Sequence, residues 1–569
     1  MTEAGGTGTG PVWLRHYPPD VPAHLDYPNQ MLHEVVGEAA ARWPDRTALI
    51  FYGARWSYAR LWSESGRFAA ALEREGVRPG DRVALFLPNC PEYPIALLGA
   101  LRAGAIVVQV SPLYFGTDLA RLLADSQPKA VVTLEILYPA LAKVRSDFAP
   151  SVVYVARLRE FYPAHLRPFV NLRLRKQKLP TSFPDDPVVR RWSTAVRTPG
   201  TPTEFRSDPA TTVAVLQYTG GTTGTPKAAM LSHRNLVANL TQGNHWNSRR
   251  RPGEEVFLAS IPFFHIYGLT VALLMGLAEG ATIVLQIRPE VRELLKLIDR
   301  YHPTQFPGVP ALYQGLNQQP DLAKFDLRGI QFCVSGSAPL PRPVAERFCA
   351  ITGANLVEGY GLTEASPMTH VNPLQGDRPP GSIGIPVSDT EERIVDLETG
   401  TRELPVGEAG ELAVRGPQVM LGYYRQPEET ARAIRDGWLL TGDIARLDEN
   451  GFAYVVDRKK DVVNVGGMKV YPREVEDVLF QHPAVSDAAA VGIPDAALGE
   501  VVKAFVVRKP GATVTAEELI EFVRERIPHF KAPRSVEFRD ALPRSGVQKV
   551  LRRQLRDSAG APAPGVPSR

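Results

Sequence analysis

The sequence has few cysteines, no long uncharged apolar run and almost no net charge. Cys90, Cys333 and Cys349 are the three cysteines, too few and too widely spaced for a disulfide framework or a zinc site. We therefore expect buried thiols in a reducing compartment. Charges such as Arg102 and Glu279 interrupt the apolar stretches before they reach the ~20 residues of a membrane-spanning helix, which argues against an integral membrane protein.

The charge balance excludes another class of function. The 65 basic and 61 acidic residues give a formal net charge of +4, which argues against a dedicated nucleic-acid-binding protein. The N-terminus lacks the basic start and apolar stretch of a secretory signal, so we expect a cytoplasmic protein. The surplus of positive charge is unevenly distributed along the chain. Residues 458–569 carry 19 Lys and Arg against 14 Asp and Glu.

The order of apolar segments predicts an α/β fold. A chain of 569 residues exceeds the roughly 250–300 residues at which one core stops growing, so at least two domains are expected. A strand over 81–88, a helix over 93–104 and a strand over 105–110 predict parallel sheets with crossover helices. After about residue 380, short strands separated by turn residues predict a β-rich subdomain, with a hairpin turn at residues 448–451.

A charged segment, Asp457-Arg458-Lys459-Lys460-Asp461, separates two strand-like stretches and predicts a domain joint. We expect a large N-terminal domain over 1–457, a hinge at 458–460 and a small C-terminal α/β domain over 461–569. In that small domain, Pro472 fits the first turn of a helix, and Thr515 with Glu518 forms a capping box before another.

Residues 157–178 hold seven Lys and Arg but one acid, Glu160, with aromatic and aliphatic residues between them. Pro163 and Pro168 limit any long helix in this window. The window is either a solvated surface excursion or a patch that rests on anionic membrane lipid. Composition leaves both interpretations open.

One segment carries the features of a polyphosphate-binding loop. A strand over 213–217 leads into Tyr218-Thr219-Gly220-Gly221-Thr222-Thr223-Gly224-Thr225-Pro226-Lys227, and Ser232 is a good helix N-cap. The glycines allow a tight backbone with N–H groups facing a ligand, the threonines add hydroxyl donors, and the lysine adds a positive charge. It is not a Walker A loop, because Pro226 precedes Lys227 and Ala228 follows it.

These ten residues resemble the signature of the acyl-adenylate-forming enzymes. Glycine at position 220, where the family usually has serine, is similar to bacterial long-chain fatty-acid–CoA ligases. The resemblance extends over about residues 30–556 through further blocks in the family's order: Pro262-Phe263-Phe264-His265, Ser335-Gly336-Ser337-Ala338-Pro339, Glu358-Gly359-Tyr360-Gly361-Leu362-Thr363-Glu364, Thr441-Gly442-Asp443, Asp457 to Asp461, Gly466-Gly467-Met468-Lys469-Val470-Tyr471-Pro472, and Lys549.

The resemblance implies an acyl-CoA-synthetase-like fold and two half-reactions at one site. A fatty acid carboxylate attacks the α-phosphorus of ATP and gives acyl-AMP and pyrophosphate. The thiol of coenzyme A then attacks the acyl carbon and expels AMP. Both steps concentrate negative charge on oxygen, so we expect catalysis by positioning and electrostatic stabilisation, with Mg²⁺ bridging the ATP phosphates.

The resemblance also implies roles for individual residues. The implied catalytic residues are Lys549, Glu364, Thr363 and Lys227, with Glu364 as the Mg²⁺ ligand. The implied nucleotide-binding set comprises Tyr218, Thr219, Gly220, Gly221, Thr222, Thr223, Gly224, Lys227, Gly336, Ser337, Ala338, Glu358, Gly359, Tyr360, Gly361, Thr363, Asp443, Arg458 and Lys549.

Other implied roles concern the second half-reaction and the acyl group. Lys460 corresponds to the hinge about which the small domain turns, and His265 borders the acyl pocket as a gate. The coenzyme A loop comprises Gly466, Gly467 and Lys469. Gln548 departs from the family, which usually has glycine immediately before the catalytic lysine. The conformation of that loop is therefore not implied.

Three alternatives remain open at this point. The acid could be medium-chain or aromatic, such as a cinnamate, instead of long-chain. The acyl group could pass from acyl-AMP to a separate carrier protein instead of coenzyme A. A non-catalytic membrane-surface scaffold would use the window 157–178 alone, and the presence of Lys227, Glu364, Asp443, Arg458 and Lys549 in one chain argues against it. Oligomeric state is not readable from the sequence.

Overall fold

The computed structural model describes residues 10–183, 185–219, 227–544 and 550–559. The chain divides into two compact units, Met1–Glu391 with Arg415–Gly437 and Glu392–Val414 with Trp438–Arg569.

The described helices alternate with strands through most of the chain. The α-helices are α1 (Leu32–Arg42), α2 (Tyr58–Arg74), α3 (Glu92–Arg102), α4 (Gly116–Ser126), α5 (Tyr138–Val144), α6 (Arg167–Lys176), α7 (Trp192–Arg197), α8 (His233–Trp246), α9 (Met275–Ala278), α10 (Val291–Tyr301), α11 (Pro310–Asn317), α12 (Arg342–Thr352), α13 (Pro427–Ala433), α14 (Pro472–Phe480), α15 (Ala516–Arg524) and α16 (Arg552–Ala559). A π-helix covers Gly268–Leu274.

The strands of the first half of the chain are β1 (Thr47–Phe51), β2 (Ala54–Ser57), β3 (Arg82–Phe86), β4 (Ile106–Val110), β5 (Ala130–Leu134), β6 (Val152–Ala156), β7 (Val189–Arg191), β8 (Val213–Thr219), β9 (Lys227–Ser232), β10 (Val256–Ala259) and β11 (Thr282–Leu285). Those of the second half are β12 (Phe332–Ser335), β13 (Asn355–Gly361), β14 (Met368–Val371), β15 (Ile385–Pro386), β16 (Glu391–Val395), β17 (Gly410–Arg415), β18 (Gly422–Tyr423), β19 (Ile434–Arg435), β20 (Trp438–Leu447), β21 (Ala453–Arg458), β22 (Val463–Val465), β23 (Met468–Val470), β24 (Val485–Asp495), β25 (Gly499–Arg508) and β26 (Ser535–Phe538).

An eight-stranded sheet dominates the first unit, in the order β18-β9-β8-β4-β3-β5-β6-β7. The strands from β8 to β7 in this order run parallel, whereas β9 and β18 are antiparallel to their neighbours. The central strands β3, β4, β5 and β6 are mostly apolar and buried, because crossover helices cover a parallel sheet. One core cluster packs α4 and α5 against this sheet through residues such as Leu119, Leu123 and Leu141.

Two smaller sheets complete the first unit, with the orders β10-β11-β1-β2 and β12-β13-β14-β15. In the latter, β12 and β13 are parallel and β13 and β14 antiparallel.

The second unit contains two sheets. Strands β17, β20 and β21 form antiparallel pairs beside β16. The other sheet has the order β23-β22-β25-β24, with β26 parallel to β25. Its core packs α14 and α15 on the sheet through Val475, Leu479, Leu519 and Val523.

The α/β fold expected from the sequence is confirmed, as are several local predictions. Residues 448–451 connect the antiparallel strands β20 and β21, and Gly451 N donates to Asp448 O at 3.0 Å. Pro472 opens α14, and Thr515 and Glu518 make both bonds of the capping box of α15. No helix in the described part of the chain is long and apolar enough to cross a membrane.

Candidate active site

Strands β8 and β9 hold the two ends of the glycine- and threonine-rich loop. They pair antiparallel with Thr219 opposite Lys227, and Thr219 Oγ1 donates to Lys227 O at 3.3 Å. Because β8 also pairs with β4 in the parallel sheet, the strand framework fixes both ends of the loop. The predicted nucleotide-binding residues within the loop, Gly220, Gly221, Thr222, Thr223 and Gly224, lie outside the described residues.

The Tyr218 hydroxyl forms a hydrogen bond within the fold. This residue of β8 is buried, and its hydroxyl donates to Asp125 Oδ2 at 2.5 Å, at the end of α4. Burial and the bond to this carboxylate raise the pKa of Tyr218. The side chain therefore ties the strand before the loop to α4, and its assignment to nucleotide binding stays a prediction.

Lys227, the first residue of β9, forms an ion pair with Glu429 of α13 at 2.5 Å. The hydrogen bond from Lys227 holds the pKa of Glu429 below its usual value. The ammonium nitrogen also lies 5.4 Å from the centre of the Tyr423 ring, which attracts a cation through its π face. These contacts hold the lysine beside the loop.

Glu364 joins this group through the same tyrosine. It lies in a 3₁₀ turn, Thr363–Ala365, directly after β13, and its Oε1 accepts a 2.8 Å hydrogen bond from the Tyr423 hydroxyl. Burial and the nearby carboxylate raise the pKa of Tyr423, so the phenol remains a donor at neutral pH. The backbone adds a 2.8 Å bond from Met420 N to Glu364 O.

Two predicted catalytic residues, Lys227 and Glu364, are thus brought together around Tyr423, which contacts both. Sequence reasoning missed Tyr423 and Glu429. The available signal was the Gly422-Tyr423-Tyr424 run, but nothing in it tells which tyrosine faces the site. That choice follows from the antiparallel pairing of β18 with β9, where Tyr423 lies opposite Ala229.

The predicted adenine-site blocks lie at the ends of two neighbouring parallel strands. Ser335 at the end of β12 is paired with Glu358 on β13, so the segment 336–338 begins beside residues 359–361, which complete β13 and pair with β14. Glu358 Oε2 accepts from Leu340 N at 3.2 Å, which fixes the chain beyond Gly336, Ser337 and Ala338.

The Tyr360 ring lies edge-on to His370, with centroids 5.8 Å apart. A Cβ on Gly361 would lie 2.1 Å from Pro367 O, and one on Gly359 would lie 3.0 Å from Val334 Cγ1. Only glycine fits at position 361, because a backbone oxygen cannot give way as a flexible side chain can.

The predicted acyl gate, His265, lies just before the π-helix Gly268–Leu274 and is half-buried. Its backbone N donates to Pro262 O at 3.1 Å, and its Nδ1 accepts from Tyr267 N at 3.3 Å. The imidazole orientation is therefore fixed by the turn that starts the helix.

Other predicted site residues belong to the second unit. Asp443 on β20 and Arg458 on β21 are cross-strand partners, with Arg458 Nε 3.3 Å from Asp443 Oδ1. Glu411 accepts from Gly442 N at 3.1 Å and from Lys459 Nζ at 2.8 Å, which stiffens both strands around this pair. Lys460 follows on the surface.

The predicted coenzyme A loop is the two-residue turn of the β22–β23 hairpin. Gly466 and Gly467 have φ values of 57° and 86°, the left-handed conformations that such tight hairpin turns require. Lys469 follows on β23 with an exposed side chain. Lys549, the predicted adenylation lysine, lies outside the described residues.

The donor set fits a magnesium ion that is held mainly by a nucleotide. No group of three or more His, Cys, Asp or Glu able to hold a metal occurs among residues 10–183, 185–219, 227–544 and 550–559. Glu364 offers a single carboxylate beside Lys227, and Mg²⁺ in nucleotide sites is bound by one or two carboxylates, phosphates and water. The site fits such an ion only together with ATP.

Comparison with known proteins agrees with this geometry. Residues 36–424 match the model of the AMP-binding enzyme family, and residues 474–549 match the AMP-binding enzyme C-terminal domain. The chain belongs to the AMP-binding enzyme family. Membership in this adenylate-forming family, predicted from the ordered motif blocks, is therefore confirmed.

Relatives in the family match the chain over nearly its full length. A long-chain-fatty-acid–CoA ligase of Bacillus subtilis is 43% identical over 95% of this chain and 97% of that protein. A long-chain-fatty-acid–CoA ligase of Escherichia coli O6:H1 is 41% identical over 96% of this chain and 98% of that protein. A 4-coumarate–CoA ligase 2 of Nicotiana tabacum is 33% identical over 96% of both chains.

Solved structures of related enzymes share the fold. ATP-bound MatB from Rhodopseudomonas palustris matches with a TM-score of 0.80 and 30% identity, over 93% of this chain and 99% of that one. The anthranilate CoA ligase AuaEII in complex with anthranoyl-AMP matches with a TM-score of 0.82 and 26% identity, over 95% and 98%. The acyl-CoA-synthetase-like fold, with a large N-terminal and a smaller C-terminal domain, is thus confirmed.

Proposed function

We propose that this enzyme is a long-chain fatty-acid–CoA ligase. It converts a fatty acid and ATP to acyl-AMP and pyrophosphate, and then transfers the acyl group to coenzyme A with release of AMP. The observation that supports this most strongly is the convergence of Lys227, Glu364 and Tyr423 beside the loop, together with full-length similarity to relatives bearing this activity in their names. The same relatives favour a long-chain acid over an aromatic one.

In the first step, a carboxylate oxygen of the fatty acid forms a bond to the α-phosphorus of ATP, and the bond to pyrophosphate breaks. We assign Lys227 to the phosphates and Thr363 to the α-phosphate. When bound, Mg²⁺ would offset charge on the phosphates, with Glu364 as its protein ligand. The Tyr423 hydroxyl keeps one oxygen of this carboxylate oriented.

We assign Tyr360 with Gly336, Ser337 and Ala338 to the adenine, and the pair Asp443–Arg458 to the ribose. A carboxylate can accept hydrogen bonds from both ribose hydroxyls. Lys549 would neutralise charge where the fatty acid carboxylate meets the α-phosphate.

In the second step, the thiol of coenzyme A releases its proton to water, its sulfur bonds to the acyl carbon, and the bond from that carbon to the AMP oxygen breaks, which releases AMP. We assign the turn Gly466-Gly467 and Lys469 to the coenzyme A entrance, and His265 to the acyl gate. The turn exposes backbone groups and a cationic side chain, which suits a phosphate-bearing thiol.

The test is pyrophosphate release with ATP, Mg²⁺ and a chain-length series of acids, with and without coenzyme A. We expect release to require the acid, to be greatest with long-chain acids, and to be followed by acyl-CoA only when coenzyme A is present. Accumulation of acyl-AMP without use of coenzyme A would contradict the ligase assignment. A maximum with cinnamate would contradict only the long-chain assignment.

A matched pair of variants tests the site itself. Glu364→Gln removes the carboxylate charge, and we expect at least about 100-fold slower adenylation, the scale expected when one electrostatic group at a reacting phosphate is lost. Glu346→Gln on α12 makes the same change in an exposed residue that forms an ion pair with its helix neighbour Arg342. Equal activity of the two variants would contradict the assignment of Glu364.

We also propose the division into domains 1–457 and 461–569, with the hinge at 458–460. Its support is the gap between the two matched family models, which end at 424 and begin at 474. Lys460→Pro would fix φ at this position. We expect it to slow one half-reaction far more than the other, whereas equal effects on both would contradict a hinge.

We further propose peripheral membrane contact through the window 157–178. Helix α6 buries Leu174 but leaves Phe169 and Leu172 exposed by 69% and 53%. Exposed basic side chains surround them, and none of these forms an ion pair within the described part of the chain: Arg167, Arg173, Arg175, Lys176 and Lys178. An apolar face among unpaired cations is complementary to an anionic bilayer, where a fatty acid substrate also resides.

Vesicle sedimentation tests this contact. We expect binding to phosphatidylglycerol-rich vesicles at least about tenfold above binding to phosphatidylcholine vesicles, and its loss on Phe169→Ser with Leu172→Ser. Phe480→Ser, at a residue exposed by 48% on α14, is the control and should bind as the unchanged protein does. Equal binding to both vesicle types, or retention by the double variant, would contradict the proposal.

A further inference from the structure

The second unit contains a network of charged side chains to which the proposed mechanism assigns no role. Arg552, the first residue of α16, faces three carboxylates from two other segments. Its Nη2 lies 2.8 and 2.7 Å from the two oxygens of Glu476 on α14. Its Nη1 lies 3.5 Å from Asp461 Oδ2 and 3.8 Å from Asp457 Oδ1.

The carboxylates of this network are almost completely shielded from water. The side chains of Asp457, Asp461 and Glu476 are exposed by only 1%, 10% and 11%. Burial alone would lower the pKa of Arg552, but the carboxylates around it raise it, so the guanidinium stays charged. Burial raises the pKa of Asp457, and Arg552 opposes that change. One guanidinium therefore lies against all three carboxylates and offsets part of their negative charge.

Backbone groups fix the carboxylates in place. Asp457 accepts from Arg458 N at 2.7 Å and from Arg473 N at 2.8 Å, and Glu476 accepts from Ala490 N at 2.8 Å. Because Asp457 and Glu476 are held by backbone groups, they offer Arg552 rigid acceptors and not a flexible surface pair.

The position of the network along the chain links the proposed hinge to the helix that follows Lys549. Asp457 and Asp461 flank the segment 458–460, which the proposed function assigns as the hinge. Arg552 lies three residues after Lys549, and three residues span at most about 11 Å. On the other side of Lys549, Arg544 forms a β-bridge with Val550 and its side chain binds Asp487. The proposed hinge and the region of the adenylation lysine thus share one anchoring residue.

We propose that Arg552 is a positioning residue for adenylation, which acts by tying the start of α16, the helix that follows Lys549 in the sequence, to both ends of the segment 458–460. This inference rests on the proposed function. The contact with three carboxylates distinguishes Arg552 from its neighbour Arg553, which is exposed by 52% and lies 3.7 Å from Asp557 in its own helix.

Helix α16 has an independent attachment, which makes the proposal testable in a folded protein. Leu555 is buried in a cluster with Ala489, Val491, Phe505 and Leu542. Arg556 also binds Asp461 at 3.3 Å. Replacement of Arg552 should therefore leave the helix in place while it loosens its first turn.

The experiment separates the two half-reactions. Acid-dependent exchange between pyrophosphate and ATP reports adenylation, and acyl-CoA formation from supplied acyl-AMP reports thioester formation. Arg552→Lys keeps the positive charge but lacks the planar guanidinium that contacts three carboxylates. We expect this variant to lower the rate of adenylation at least about tenfold and to leave the rate of thioester formation within about threefold. Arg553→Lys is the matched control and should change neither.

A double variant separates positioning from simple burial of charge. Arg552→Gln leaves Glu476 and Asp457 without this cation, and the double variant Arg552→Gln with Glu476→Gln removes the carboxylate that Arg552 contacts most closely. We expect the double variant to recover part of the melting temperature lost in Arg552→Gln but not the rate of adenylation. Recovery of adenylation together with stability would overturn the proposal, and so would equal loss of both half-reactions in Arg552→Lys. Absence of acid-dependent exchange in the unchanged protein would instead contradict the proposed function.

Discussion

Tyr423 is the residue on which the arrangement of the first unit's site depends. Its hydroxyl donates to Glu364 and its ring lies beside the Lys227 ammonium, so it links the proposed magnesium ligand to the proposed phosphate-binding cation. Tyr423→Phe keeps the ring but removes the donor. Since a hydrogen bond to a charged group contributes about 1.5–3 kcal/mol, we expect adenylation to slow by at least about tenfold.

The neighbouring tyrosine supplies the control for this prediction. Tyr424→Phe removes the same atom from a residue whose ring packs beside Arg425. Pyrophosphate exchange at saturating ATP and over a range of Mg²⁺ concentrations measures both variants. We expect Tyr423→Phe alone to require more Mg²⁺. An unchanged Mg²⁺ requirement in both variants would show that the hydroxyl does not orient Glu364.

At this scale the sequence predicts the charged residues of the candidate site but not the contacts that hold them. Lys227 and Glu364 were predicted from motif blocks whose chemistry is local. Tyr423 and Glu429 reach the site only because β18 pairs with β9 and α13 follows, across about 200 residues of chain. Such contacts depend on tertiary packing, which no local pattern of residues encodes.

At the scale of the element, the carboxyl end of β5 carries a buried acid. Glu135 follows the strand directly, and its oxygens accept from Leu158 N at 2.8 and 3.1 Å, which holds the turn after β6. Burial raises the pKa of Glu135 to about 7. The folded protein therefore binds a proton here between about pH 4.5 and 7 that the unfolded chain does not.

The sign of the resulting pH dependence follows from this difference. The contribution of Glu135 to stability is largest below the unfolded pKa and is lost as the pH rises through about 7. Glu135→Gln keeps an acceptor for Leu158 N without a charge, so we expect it to stabilise the protein by about 2 kcal/mol at pH 8 and by little at pH 4.5. Urea unfolding at both pH values, with exposed Glu204→Gln as control, measures this. A gain that is equal at the two pH values would refute it.

Elements were predictable where the signal is local. The hairpin turn at 448–451, the capping box of α15 and the N-cap Ser232 of α8 each depend on residues within one turn. Strand β9 was not predicted between the loop and α8. Its run Lys227–Ser232 has no clear alternation, and it becomes a strand because β8 and β18 pair with it on both sides.

At the scale of the whole molecule, the uneven charge leads to a prediction about the binding of coenzyme A. Residues 458–569 hold the entire positive surplus, 19 basic against 14 acidic residues, whereas the rest of the chain has 46 and 47. Coenzyme A is a multiply charged anion, and the proposed entrance turn, Gly466-Gly467, lies in this basic part. A basic surface raises the local concentration of such a ligand through long-range attraction, which salt screens.

We therefore expect the KM for coenzyme A to rise several-fold as salt increases from about 50 to about 500 mM, because the screening length falls from about 14 to about 4 Å. The KM for pantetheine, which carries the same thiol without the phosphates, should barely change under those conditions. Lys469→Gln, at an exposed residue next to the turn, should reduce the salt dependence more than Lys509→Gln, at an exposed residue after β25. Equal effects of the two variants would assign the attraction to the net charge of residues 458–569 and not to Lys469. A KM for coenzyme A that does not change with salt would refute any electrostatic role for the positive charge surplus.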